Sequence, residues 1–282
     1  MLKIALPNKG SLSEDAVDLV RYAGYSCRRV GKELMITDAE NNIEFVFLRP
    51  RDIAVYVSRG ILDLGITGRD LAVDSQTDVF EVFGLGFGKS KFYYAGKSGE
   101  FKSVSDLNGK RIATSYPEIV ASDFNDKGFK ADIVKLDGAV EISIELGVAD
   151  AIADVVETGR TLRESGLNVI GEPVLKSEAV LISRTKTALE NKDVFLFTQR
   201  VKGILTAREY VIIEYDIKEE MLDKTSEVTP GIESPTVSPL SKKGWIAVKS
   251  MVKKKDVNNM MDQLSEIGAK GIIVSEIRTC RI

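Results

Sequence analysis

Gly60-Ile-Leu-Asp-Leu-Gly-Ile-Thr-Gly-Arg-Asp-Leu71 and Gly147-Val-Ala-Asp-Ala-Ile-Ala-Asp-Val-Val-Glu-Thr-Gly-Arg-Thr-Leu162 share one grammar. Each runs glycine, an apolar residue, any residue, aspartate, an apolar strand, then Thr-Gly-Arg-x-Leu. The second carries four extra residues. A strand that turns through Thr-Gly into a helix is one unit of an open α/β sheet. Ligands bind such sheets where strand carboxyl ends meet helix starts. The repetition predicts two similar α/β lobes facing a cleft, each offering a strand end to one ligand.

The flanking sequence extends this pattern. Ahead of the first stretch, Leu2–Leu6 reads as a strand, Ser11–Ala23 as an amphipathic helix with Ser13 as N-cap, and Ile43–Leu48 as a second strand. Arg49-Pro-Arg-Asp52 opens a short helix closed by Gly60, and Ile61–Ile66 is the next strand. Between the stretches, Lys91–Ala95 and Lys110–Thr114 read as strands and Pro117–Lys127 as a helix with proline at its first position. Ile133–Leu136 is a strand, Ala139–Leu146 a helix and Ala151–Asp154 a strand. Val169–Ile170 and Ala179–Ser183 follow as strands. A helix over Thr187–Leu205, weakened by Gly203, is expected to pack back on the first lobe.

From Glu209 the order changes to strand (209–215), helix (218–224), extended piece (234–238), strand (245–252), amphipathic helix (256–267) and strand (271–277). That β-α-β-β-α-β order is ferredoxin-like. The expected fold class is therefore α/β, with two lobes forming a cleft and a C-terminal ferredoxin-like domain. Residues 1–90, completed by 184–207, form lobe I; 91–183 form lobe II; 208–282 form the small domain.

Composition narrows the chemistry. The 282 residues carry 39 basic and 42 acidic side chains, so nothing calls for nucleic acid. Cys27 and Cys280 stand alone and offer no metal spacing. The apolar N-terminal run breaks at Pro7, and no stretch has the length of a membrane helix, so a cytoplasmic protein is expected. Histidine is absent, which excludes imidazole acid–base catalysis and histidine-ligated metals.

The loop from Asp154 to Leu162 is the strongest local signal. Gly159 lets backbone approach a ligand, Thr158 and Thr161 offer hydroxyls, and Arg160 adds charge. Amides at the following helix start suit a phosphate. Asp154 can accept hydrogen bonds from ribose hydroxyls. The competing reading is an ordinary strand–helix turn capped by Thr158. Glu157 reads as a solvated loop acid before a metal ligand. A second anion region spans Lys9, Arg49, Arg51 and Arg69, near strand ends of the first lobe, where Mg²⁺ with pyrophosphate would fit. Thr114, Ser115 and Tyr116 sit where a base or sugar could touch.

Leu6-Pro-Asn-Lys-Gly-Ser-Leu12, Asp63-Leu-Gly-Ile-Thr-Gly68, Arg111-Ile-Ala-Thr-Ser-Tyr-Pro117, Ala149-Asp-Ala-Ile-Ala-Asp154, Thr158-Gly-Arg-Thr-Leu162 and Pro230-Gly-Ile-Glu-Ser-Pro-Thr-Val237 together resemble the ATP phosphoribosyltransferase family, in its long form and over the whole chain. The resemblance implies a Mg²⁺-dependent reaction of ATP with phosphoribosyl pyrophosphate, giving phosphoribosyl-ATP and pyrophosphate, the first step of histidine biosynthesis. It implies that the two lobes are periplasmic-binding-protein-like and hold the active site between them. It also implies inhibition by L-histidine at the small domain, AMP or ADP as further candidate regulators, and interconverting dimers and hexamers. By position, Lys9, Arg49, Asp70 and Asp154 resemble catalytic residues. Asp154, Val155, Thr158, Gly159, Arg160, Thr161 and Leu162 resemble the phosphoribosyl loop, and Arg51, Leu71, Thr114 and Tyr116 nucleotide contacts. Glu233, Ser234, Thr236, Ile273 and Ser275 resemble the histidine site. The groups that hold the metal are not assigned. Arg51 stands where lysine also occurs in relatives, and the family requires neither an acid at 157 nor a base at 160. Two rivals remain at this point: a two-lobed solute-binding module without turnover, and a prephenate dehydratase-like enzyme.

Overall fold

The computed structural model describes residues 1–29, 31–156 and 159–282. The chain divides into two compact units, Met1–Arg21 with Tyr25–Phe195, and Tyr22–Gly24 with Leu196–Ile282.

The first unit holds two sheets. Its opening elements are β1 (Leu2–Pro7), α1 (Ser11–Tyr22), β2 (Met35–Asp38), β3 (Ile43–Leu48), α2 (Pro50–Ser58), β4 (Leu64–Gly68), α3 (Arg69–Asp74) and β5 (Phe80–Gly84). The chain then crosses to β6 (Ser90–Lys97), β7 (Arg111–Thr114), α4 (Pro117–Asp126), β8 (Asp132–Lys135), β9 (Ala151–Val156), the short α5 (Arg160–Glu164) and β10 (Leu167–Ser177). It returns through β11 (Ala179–Ser183). The first sheet runs β2-β3-β1-β4-β11-β5 and the second β10-β6-β9-β7-β8. These are the two α/β lobes expected, joined by two crossings.

Several expectations need correction. Ala179–Ser183, assigned above to lobe II, is hydrogen-bonded between β4 and β5 of the first sheet. All five of its residues are buried, as a central strand requires. Ser13 does not cap α1; it lies inside the helix and its hydroxyl donates to the Pro7 carbonyl at 2.8 Å. The helix over Ala139–Leu146 shrinks to a 3-10 turn, Val140–Ser143. Ala139 sits in the left-handed region (φ 49°) and Gly147 closes the far end, leaving room for little more than one turn. The edge strand β2 and the strand β5 carry no clean apolar alternation and are invisible to pattern reading.

The repeated stretches do the same job in both lobes. The Asp63 carboxylate accepts the Lys3 amide of β1 at 2.8 Å, and the Asp63 amide donates to the Lys3 carbonyl at 2.9 Å. Asp150 does this to Arg111 of β7, at 2.9 Å in each direction. Each aspartate therefore locks the start of its strand onto the parallel neighbour. The shared grammar is a shared structure.

Both faces of the second sheet are covered. Phe92, Tyr94, Ile112, Ala151 and Ala153 pack with Ile119, Val120 and Phe124 of α4. On the other face, Ile152 packs with Val140, Ile144 and Leu162. Alternation along β9 then puts Asp154 on the Ile152 face, just past that core. In the first lobe α2 lays Ile53, Ala54 and Val57 against Ala5, Val180 and Ile182.

The second unit carries most of α6 (Lys192–Glu209), then β12 (Tyr210–Lys218), α7 (Leu222–Val228), β13 (Thr236–Pro239), β14 (Trp245–Lys253), α8 (Val257–Ile267) and β15 (Lys270–Glu276). The helix expected to complete lobe I is thus displaced in sequence and falls mainly within the C-terminal unit. Gly203, the residue expected to weaken it, has a reason there. A Cβ at 203 would lie 2.5 Å from the Cys280 carbonyl oxygen, and the Cys280 amide donates to the Gly203 carbonyl. The sheet order β13-β14-β12-β15, antiparallel throughout, is the ferredoxin-like arrangement. Val211, Ile213, Tyr215, Ile246 and Val248 form its helix-covered face. Among the described residues no helix is long and apolar enough to cross a membrane.

Candidate active site

In the first sheet β1, β3 and β4 run parallel; in the second, β7, β8 and β9 do. Their carboxyl ends carry nearly every residue singled out above for the catalytic lobes.

Lys9 and Arg49 leave adjacent strands. Pro7 pairs with Leu48, and the Asn8 amide donates to the Leu48 carbonyl at 2.8 Å. Both cations are exposed, and neither has an ion-pair partner among the described residues. Arg49 occupies the N-cap of α2 with Pro50 behind it, so the chain must turn there. Two unpaired cations on neighbouring loops are ready for a polyanion.

Arg51 is differently placed. It donates to Asp74 at 2.5 Å and to the Ser115 carbonyl at 2.7 Å, and lies 4.9 Å from the Tyr116 ring centroid. Arg69 is already engaged by carboxylates. It is held by Glu81 at 2.7 and 2.9 Å, and by Glu178 and the Lys176 carbonyl at 3.3 Å. Hydrogen bonds to Glu81 drive its pKa upward. An arginine so fully engaged is a brace between β5 and the β10–β11 crossing.

Asp70 opens α3. Its carboxylate accepts the Ser177 hydroxyl at 2.9 Å and the Leu71 amide at 2.9 Å, and interacts with the Tyr116 hydroxyl. Leu71 itself is half-buried. Thr114 is fully buried and its hydroxyl accepts the Tyr116 amide at 2.9 Å. That hydroxyl shapes the turn, so it is not presented to a ligand. The Ser115 hydroxyl donates to the Leu136 carbonyl. Tyr116 is the ligand-facing candidate of this turn. Burial first, then the charges of Asp70 and Asp154, raise its pKa.

At the end of β9, burial raises the pKa of Asp154. Glu141 and Asp70 raise it further, while the Val155 amide, 2.7 Å away, and Arg51 oppose them. These mutual influences tie β9, α3, α2 and the 140–143 turn to one region. A cavity of about 290 Å³ opens against Asp154, Val155, Gly159, Arg160 and Thr161, with Glu141 on its far side. That is the scale of a small-ligand pocket. Gly159 has φ +69°, a conformation costly for any other residue, and occupies the N-cap of α5 without a side-chain cap. Arg160 turns out to solvent and pairs with Glu164 at 2.7 Å. Leu162 is buried core rather than lining alone. Glu157 and Thr158 lie outside the described residues.

Sequence reading missed two carboxylates. Glu141 was hidden inside a helix that does not form, and Asp74 had no motif around it. Among the described residues no group of three acidic or cysteine side chains is arranged to hold a metal.

The residues assigned to histidine binding divide between two places. Glu233 and Ser234 precede β13, and Thr236 lies on it. Ile273 and Ser275 lie on β15. These strands are the two edges of the sheet, with β14 and β12 between them. Three strand spacings separate them, about 14 Å. All five side chains are exposed. The segment before β13 is anchored by Tyr215, whose hydroxyl meets that of Thr229 at 2.8 Å, and by Ser250, which donates to the Thr229 carbonyl.

Comparison with known proteins agrees with this architecture. The family model described as ATP phosphoribosyltransferase matches residues 49–203, and that of its C-terminal domain matches 207–279. The ATP phosphoribosyltransferase of Salinibacter ruber is 56% identical over 283 residues, and that of Corynebacterium diphtheriae 53% over 282; both alignments cover all of each chain. The solved ATP phosphoribosyl transferase (HisG:HisZ) complex from Thermotoga maritima superposes with a TM-score of 0.65 at 26% identity, covering 73% of this chain and 99% of that one. Two family models in the right order, relatives matched end to end and a two-lobed α/β body with a ferredoxin-like domain agree: the chain belongs to the ATP phosphoribosyltransferase family.

Proposed function

We propose that the chain transfers the phosphoribosyl group of phosphoribosyl pyrophosphate to N1 of ATP, releasing pyrophosphate, as the first step of histidine biosynthesis in the cytoplasm. The observation that carries the reading is the desolvated Asp154 carboxylate at a small cavity beside Gly159, with the unpaired Lys9 and Arg49 at strand ends of the first lobe. The N1 lone pair forms the bond to C1 of the ribose as the bond from C1 to pyrophosphate breaks. Asp154 accepts hydrogen bonds from the ribose hydroxyls, and its charge faces the cationic sugar of the transition state. In a dry pocket that interaction is far stronger than in water. The 5′-phosphate rests on the backbone around Gly159 and on the hydroxyls of Thr158 and Thr161. Lys9 and Arg49 neutralise the departing pyrophosphate, and Asp70 and Tyr116 face the nucleotide. A divalent ion such as Mg²⁺ would come bound to the phosphates of the substrate and would supply charge neutralisation for the departing pyrophosphate beside Lys9 and Arg49. Orientation and charge stabilisation do the catalysis, so a chain without histidine is competent.

The test is product formation by the full chain with Mg²⁺, ATP and phosphoribosyl pyrophosphate. Appearance of an N1-substituted adenine nucleotide and pyrophosphate supports the reading; binding without turnover overturns it. The same proposal places L-histidine, with AMP or ADP as further candidates, as an inhibitor through the ferredoxin-like domain. It includes dimers and hexamers as the assembled states.

A further inference from the structure

Asp74 ends α3 and is 6% exposed, yet it belongs to no motif. Every hydrogen bond found for its carboxylate serves another element. One oxygen accepts the amides of Glu118 at 3.0 Å and Ile119 at 3.3 Å, the first turn of α4 in the other lobe. The other accepts Arg51 from α2. The helix α4 needs this. Pro117 fills its first position and Tyr116, the N-cap residue, supplies no side-chain cap, so its free amides depend on an acceptor from elsewhere. A carboxylate there also complements the positive end of the helix.

Arg51 completes a clasp. Its second nitrogen donates to the Ser115 carbonyl and its guanidinium faces the Tyr116 ring. One helical turn earlier on α3, the Asp70 carboxylate accepts the Ser177 hydroxyl and its charge acts on Tyr116. Asp70 and Asp74 are four residues apart, so both point from one face of α3. The turn 115–119 is therefore gripped from the first lobe at its carbonyl, its ring and its helix amides.

We propose that Asp74 is a positioning residue that fixes Tyr116 and Arg51 across the cleft and so sets affinity for the nucleotide, leaving the hydrogen bonds of the phosphoribosyl loop unchanged. The inference rests on the transferase reading above. It assigns the clasp to the nucleotide side because the loop around Gly159 shares no hydrogen bond with it among the described residues.

The experiment compares Asp74→Ala and Asp74→Asn with the unchanged full chain. Asparagine keeps an acceptor for the α4 amides and loses the charge opposite Arg51. The KM for ATP should rise on the order of tenfold in the alanine variant and less in the asparagine variant. The KM for phosphoribosyl pyrophosphate should stay within about twofold. Equilibrium binding of ATP alone should weaken in parallel. Arg51→Lys, which keeps charge but loses the fork, should reproduce a weaker form of the ATP effect, and combining it with Asp74→Ala should add little. Equal rises in both KM values, or an unchanged ATP affinity in Asp74→Asn, would sink the proposal. If Asp74→Ala fails to fold, the asparagine variant decides. An unchanged chain that makes no product counts against the transferase reading; an active one indifferent to Asp74→Asn counts only against this inference.

Discussion

Asp154 shows what a buried carboxylate costs its fold. Burial raises its pKa, so the native state binds this proton more tightly than the unfolded chain does. The sign follows from linkage. A group whose folded pKa is raised contributes stability at low pH, and that contribution is lost as the pH rises through the folded value. At neutral pH the ionised Asp154 is therefore a destabilising group without its ligand. Asp154→Asn should raise the thermal midpoint at pH 7 and abolish transfer, and the stability gain should vanish below about pH 4. A calorimetric pH series checks this; a lowered midpoint at pH 7 would contradict it. Asp150, one strand-length earlier, has the opposite sign. Hydrogen bonds from Arg111 hold its pKa at about 2. Its contribution is complete above the ordinary carboxylate range and is lost as the pH falls toward 2. Asp150→Asn should lower stability near neutrality, with the difference shrinking in acid.

At the scale of elements, the decisive contacts are those that bring two segments closer than side chains normally allow. Gly65 in β4 is one. A Cβ there would lie 2.4 Å from a methyl of Ile53 and 3.1 Å from a methyl of Val57, both on α2. Gly65→Ala should destabilise by about 1–3 kcal/mol through overpacking, read from the denaturant midpoint at unchanged slope. Gly84→Ala meets only the Glu178 side chain, whose tip can move, and should cost less. The glycines of the repeated stretches were legible as turn signals. Which of them marks a close helix–strand contact was not, because how closely α2 packs on β4 is set by the side chains that meet there and not by turn signals. The same holds for α4. Its proline start was legible, while its cap arrives from Asp74, over forty residues away, and no local rule connects the two.

For the whole molecule, the ferredoxin-like sheet sets a geometric condition on regulation. The residues assigned to histidine lie on its opposite edges. A single histidine does not span about 14 Å between them, so a site using both needs edges from two chains. Inhibition by histidine should then strengthen with protein concentration along with assembly, and Ser275→Asp should weaken both together. Sensitivity independent of concentration across the assembly range would place the site within one edge.

Strand–helix alternation, the doubled Thr-Gly-Arg grammar and the β-α-β-β-α-β tail were determined by sequence alone. Local periodicity and turn chemistry act over a few residues, and those rules sufficed for the fold class. Only the tertiary structure decided how the cations divide: among the described residues Lys9 and Arg49 stay unpaired, Arg51 becomes half of a clasp, and Arg69 is spent on Glu81 and Glu178. It also returned β11 to the first sheet, brought Glu141 to the cavity at Asp154 and set Asp74 against the first turn of α4. Charge and hydrogen-bond partners are chosen by proximity in space, and residues far apart in the chain acquire that proximity only when the sheets close on each other.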